Sequence, residues 1–84
     1  MKIVVQVEPG SEGVKRVFIS LDQEGIDWLK ENLGSPNLRK PMDSLDLFTE
    51  EWGGQDLESE PIVEGCEVVN HLEFLYLGDS ESKD

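Results

Sequence analysis

Hydrophobic and polar positions alternate from the start of the chain. In KIVVQVE, Ile3, Val5 and Val7 fall on one side, with Lys2, Gln6 and Glu8 mostly on the other, which predicts a β-strand. The turn formers of PGSEG follow and VKRVFISL returns as a second strand, so the opening reads as a hairpin with a loop of several residues. At Ser20 the period changes. Ser20 and Gln23 fit a capping box, in which each side chain satisfies a backbone donor at a helix start. Leu21, Gly25, Trp28, Leu29 and Leu33 then line one helical face, while Asp22, Asp27, Lys30 and Glu31 point elsewhere. Gly34 ends the helix in a left-handed cap and Pro36 prevents its resumption. Trp28 is read as the anchor of this helix on a sheet rather than as a ligand contact.

After the loop SPNLRKP, the segment DSLDLFTE alternates Leu45 and Leu47 against Asp46, with Phe48 on the Asp46 side, and predicts a third strand. A long loop runs through Pro61. VEGCEVVNHLEFLYLG supplies a final strand, with Leu72, Phe74 and Tyr76 on one face and Val69, Leu75 and Leu77 on the other. The order strand, strand, helix, strand, strand predicts one small α+β domain over residues 1–78, a single helix packed on a mainly antiparallel four-stranded sheet. The polar end DSESKD, residues 79–84, is expected to be a disordered acidic tail. One helix covers only one sheet face. Val4, Phe48, Leu75 and Leu77 are therefore expected on the far face, shielded by the long loop or by another chain, in a homodimer or at a partner site.

Composition narrows the class. The chain of 84 residues has room for a modest core, and its 37% hydrophobic content, arranged in periodic runs, separates it from disordered sequences. Cys66 is the only cysteine, so no internal disulfide can form and a reducing cytoplasm is the expected compartment. The opening MKIVVQVEPG lacks the basic start, apolar run and cleavage site of a signal peptide, and no apolar stretch approaches spanning length.

The net charge of −12 is unevenly placed. Residues 1–40 carry six acids and six bases, whereas residues 41–84 carry thirteen acids against Lys83 alone. Solubility needs charge but not this segregation. One reading is an acidic protein that is merely soluble; the sharper one is a negative face that steers a basic partner and makes association salt-sensitive, and on either reading nucleic acid phosphates would be repelled.

Candidate chemistry centres on the loop EEWGGQDLESEP. Glu50, Glu51, Asp56, Glu58 and Glu60 offer many oxygen ligands, but their spacing lacks the pattern and terminal Glu of a calcium loop. Cys66 and His71 are the only soft ligands, too few for zinc, so neither metal nor cofactor is expected. The same two residues lie on opposite faces of one predicted strand, which removes a thiol–imidazole pair, and no catalytic residue is assigned. Cys66 reads as a small buried hydrophobe or idle thiol, and His71 as a strand residue bonded to a neighbour or to water. Gly53 and Gly54 after Trp52 allow a sharp turn and close backbone approach, with Trp52 and Leu57 expected to pin the loop to the body. An exposed Trp52 would instead be the strongest interface anchor in the chain, rimmed by Glu50, Glu51, Asp56, Glu58 and Glu60.

The run LFTEEWGGQDL, with VVNHLEFLYL after an acidic spacer, resembles small immunity proteins of bacterial polymorphic toxin systems that carry a WGG-x-x-L segment and a later Asn-His-Leu strand. The matching positions are Trp52, Gly53, Gly54, Leu57, then Asn70, His71 and Leu72. The opening strand pair and the helix with LDQEGIDWL also suit that family in order and length. The resemblance implies an inhibitor that binds a cognate toxin domain and has no enzymatic activity of its own; from the negative charge alone, the expected target is a basic domain such as a nuclease, whose cleft binds phosphates. The alternative from the residues alone is a small acidic dimeric adaptor module.

Overall fold

In a computed structural model the described residues are 1–10, 13, 16–34 and 37–78. They form β1 (Ile3–Val7), β2 (Val17–Leu21), α1 (Gln23–Asn32), β3 (Ser44–Phe48), a 3₁₀ turn (Glu50–Trp52), β4 (Glu67–Val68) and β5 (His71–Leu75). The protein is α+β, with one helix and antiparallel strand pairs. Pro36, much of the predicted hairpin loop and the tail 79–84 lie outside the described residues.

The strands divide into two sheets rather than one of four strands. β1 is the middle of a three-stranded sheet ordered β2-β1-β4, and β3 pairs with β5 in a two-stranded sheet. The division falls within the segment read as one final strand. Val69 donates its N–H to the Val5 carbonyl at 2.8 Å, and the next carbonyl, that of Asn70, accepts from Thr49 N–H at 3.0 Å. The chain thus leaves one sheet and enters the other between consecutive residues, and Val69 packs against the core instead of lining a far face.

As a central strand, β1 is covered on both faces. Ile3, Val4, Val5 and Gln6 are all buried, so the alternation seen in the sequence does not mark an inside and an outside. Ile3, Val5, Leu47 and Leu57 form the core, with Trp28, Leu29, Leu45, Leu72 and Phe74 packed around it. The expected far face is not continuous, because Val4 is buried while Leu75 and Leu77 are exposed.

The helix starts two residues later than the capping box predicts. β2 stays in register with β1 through Leu21, opposite Ile3, which holds Ser20 and Leu21 in strand geometry. Asp22 is the N-cap: its Oδ1 accepts from Gly25 N–H at 2.7 Å and from Lys2 N–H at 2.9 Å. Gln23 reaches forward to Asp27 at 3.1 Å rather than back to Ser20. Gly25 sits flush on β1, where a Cβ would lie 2.6 Å from the Lys2 carbonyl oxygen. Leu33 is the C-cap and half-exposed, and Gly34 follows at φ +132°.

Candidate functional site

The acidic loop leaves β3 at Thr49, which is fully buried. The Thr49 carbonyl accepts from Trp52 N–H and Gly54 N–H, both at 3.0 Å, and the Glu50 carbonyl accepts from Gly53 N–H at 3.0 Å. Such a 3₁₀ turn must end in a residue tolerant of left-handed backbone, and Gly53 supplies φ +90°. Gly54 is required for a different reason. A Cβ there would lie 2.5 Å from Phe48 Cβ and 2.6 Å from the Phe48 carbonyl oxygen, closer than any side chain tolerates.

The returning arm is stitched to both sheets. Leu57 N–H donates to the Phe48 carbonyl at 3.1 Å, and Glu58 N–H donates to the Ile3 carbonyl at 2.8 Å. Leu57 is buried in the core. Trp52, expected to share that packing role, does not: the turn leaves its indole 60% exposed. In the same loop Glu50, Glu51, Glu58 and Glu60 are exposed and Asp56 is half-buried. Among the described residues the ion pairs are Met1–Glu24, Arg16–Glu8 and His71–Asp46, so none neutralises this loop.

Between the two arms lies an open groove of 260 Å³, lined by Glu50, Gly54, Gln55, Leu57, Glu58 and Ser59. It is smaller and more open than the roughly 300–1,000 Å³ clefts that enclose small molecules. Its acidic lining comes from Glu50 and Glu58.

Asn70, His71 and Leu72 form the joint between the sheets. Thr49 Oγ1 donates to Asn70 Oδ1 at 2.7 Å, inside the junction. The His71 ring stacks on Phe48 with centroids 4.3 Å apart, and its Nε2 lies 2.9 Å from Asp46 Oδ1. Ser44 Oγ donates to Asp46 Oδ2 at 2.9 Å. The contact with His71, and then that with Ser44, holds the Asp46 carboxyl below the ordinary aspartate range. Leu72 packs on the core.

This polar chain has the wrong order for nucleophilic catalysis. A hydroxyl is activated by an imidazole that a carboxylate orients, whereas here the carboxylate stands between the two, and Ser44 bonds Asp46 rather than His71. Cys66 precedes β4 beside the other sheet, where its carbonyl accepts from Gln6 Nε2 at 3.1 Å. It does not meet His71. Asp46, His71 and Glu73 can bring ligand atoms within 4.8 Å of one another, but a cation there would have to displace the existing His71–Asp46 contact.

The sequence did not mark Gln6. Buried on β1, its Nε2 donates to the Val63 and Cys66 carbonyls at 2.9 and 3.1 Å, and its Oε1 accepts from Ile62 and Val63 N–H at 3.0 Å each. All of its capacity for hydrogen bonds within the chain fixes the segment after the acidic loop. A polar residue inside an apolar strand was the available signal. No protein-family model matches this chain, and no match was found among curated proteins or solved structures.

Proposed function

We propose that this protein is an inhibitor that captures a basic protein domain on the loop 50–60. In the light of its WGG and Asn-His-Leu segments, it acts as an immunity protein neutralising a cognate toxin in the cytoplasm of the producing cell. The observation that carries this reading is Trp52, 60% exposed on a hydrogen-bonded frame, in a loop whose carboxylates form no ion pair among the described residues. A large aromatic anchor inside a charged rim is the arrangement in which interface energy concentrates. The carboxylates steer the partner, the groove beside Glu50 and Glu58 receives one of its basic side chains, and the indole supplies the apolar contact. Where the partner is a nuclease, the same carboxylates occupy positions that substrate phosphates would take. The inhibitor itself needs no cofactor.

The test is capture of partners from the native bacterium with the full chain as bait, washed at low and then high salt and identified by mass spectrometry. A basic toxin domain released by salt is the expected outcome. The joint change Glu50→Lys, Glu51→Lys and Glu58→Lys should then slow association at least about tenfold at low salt while leaving the melting temperature nearly unchanged. Capture of no basic protein, or capture indifferent to both salt and charge reversal, would overturn the reading.

A further inference from the structure

β2 is an edge strand of the β2-β1-β4 sheet, and its outer side is unusually apolar. Val17, Ile19 and Leu21 are 54%, 45% and 37% exposed. They stand opposite Val7, Val5 and Ile3, and residues directly opposite share a sheet face, so this row extends the core face of β1 into solvent. The same three residues carry the free backbone edge. The bonds Glu8 N–H to Arg16 O and Asp22 N–H to Lys2 O set the two-residue rhythm of the pairing, in which even-numbered β2 residues bond β1. The amides and carbonyls of Val17, Ile19 and Leu21 therefore point away from β1, and among the described residues they meet no partner. Proteins normally blunt such an edge with charge, proline or a cover.

We infer that the occupant of this edge is the β2 strand of a second copy, paired antiparallel about a two-fold axis through Ile19. In that register Ile19 faces its own mate and Val17 faces the partner's Leu21, both as hydrogen-bonded pairs. Phe18 faces the partner's Ser20, and Arg16 faces the partner's Asp22. The ends are thus complementary in charge. Both local bonds to Asp22 use Oδ1, which leaves Oδ2 for the incoming guanidinium. Arg16 meets Glu8 through two long contacts of 3.4 Å and lies over the Phe18 ring at 4.9 Å; its side chain is 62% exposed, and reaching the partner's Asp22 exchanges the Glu8 contacts for a closer carboxylate.

Long-range charge does not oppose the pairing. The edge belongs to residues 1–40, whose charges cancel, whereas the −12 resides entirely in residues 41–84. The acidic loop and β4 bond the opposite edge of β1, through the Ile3 and Val5 carbonyls. A dimer through β2 forms one six-stranded sheet and leaves both acidic loops open. The inference stands independently of the inhibitor reading.

The experiment is analytical ultracentrifugation of the full chain at about 100 μM, where a Kd of about 10 μM leaves most chains paired. The expected result is a dimer, with Ile19→Lys raising Kd at least about 100-fold because two ammonium groups would then be opposed in a closing apolar row. Position 19 is exposed, so the variant should keep the wild-type circular dichroism spectrum. Cross-linking then tests the register. In a Cys66→Ser background, Ile19→Cys should oxidise to a disulfide-linked dimer, since Cα atoms about 5.5 Å apart lie within disulfide range. Val17→Cys, which faces position 21 instead of itself, should not. A monomer at this concentration, a dimer unmoved by Ile19→Lys, or equal cross-linking at positions 17 and 19 would each overturn the proposal.

Discussion

Trp52 and Gly54 are two residues apart in sequence, yet their substitution should produce opposite effects. Gly54→Ala forces a methyl group into Phe48 and its carbonyl, so it should cost about 1–3 kcal/mol, read as a lower urea midpoint at unchanged slope. Trp52→Ala removes a largely exposed side chain and should change stability by less than about 0.5 kcal/mol while weakening partner binding by about 2 kcal/mol or more. A large stability loss on Trp52→Ala, seen by the same urea titration, would return the indole to the core. Met42 offers an independent check on backbone strain. It is the only non-glycine with positive φ among the described residues, at +77°, and its side chain is 68% exposed. Met42→Gly should therefore stabilise the fold by about 0.5–1 kcal/mol, observable as a higher melting temperature.

Among the elements, β1, β2, β3 and the helix were legible because each carries a period that survives tertiary context. The ends were less so. Ser20 carries the capping-box pattern, yet the cap falls at Asp22 because β2 continues to pair with β1 through Leu21, a long-range fact absent from the local sequence. The transfer from sheet to sheet at Val69–Asn70 was hidden for the same reason, since an unbroken apolar run fits one long strand equally well. The acidic loop could be recognised as a candidate surface from charge alone. Leu57 could be read as its anchor, but the backbone bonds from Leu57 N–H to Phe48 and from Glu58 N–H to Ile3, which fix the rest of its path, leave no side-chain signature. Gln6 tests this level of organisation. Gln6→Leu keeps the strand apolar but leaves the Ile62 and Val63 amides and two carbonyls without partners, at a cost of about 2–4 kcal/mol. Hydrogen exchange should show the loss first at Ile62 and Val63.

For the whole molecule, two charge effects act against each other as pH falls. Asp22, Asp43 and Asp46 all have lowered pKa values: Asp22 mainly through backbone N–H donors at Lys2 and Gly25, Asp43 through those at Lys40 and Arg39, and Asp46 through His71. Below the ordinary aspartate value of about 4 the unfolded chain takes up these protons more readily, so the stability they contribute is complete above that pH and is lost as pH drops through the folded values. The −12 net charge works the other way, since protonating the remaining carboxylates relieves self-repulsion. Melting temperature should therefore rise from pH 7 to a maximum between about pH 4 and 5 and fall below it. Added salt should raise the neutral limb most, and Asp22→Asn with Asp43→Asn should flatten the acid limb. A melting temperature that falls steadily from pH 7 would show that the segregated charge is not destabilising. The central position of β1 also fixes the order in which the chain can become complete. Its outer edge is closed by Glu58, Val69 and β4, all from the second half of the chain, so a ribosome releasing these residues in sequence holds the most buried strand half-paired until late. Such distant closure makes folding slower than the small size implies, and it makes early folding intermediates vulnerable to strand capture by their neighbours.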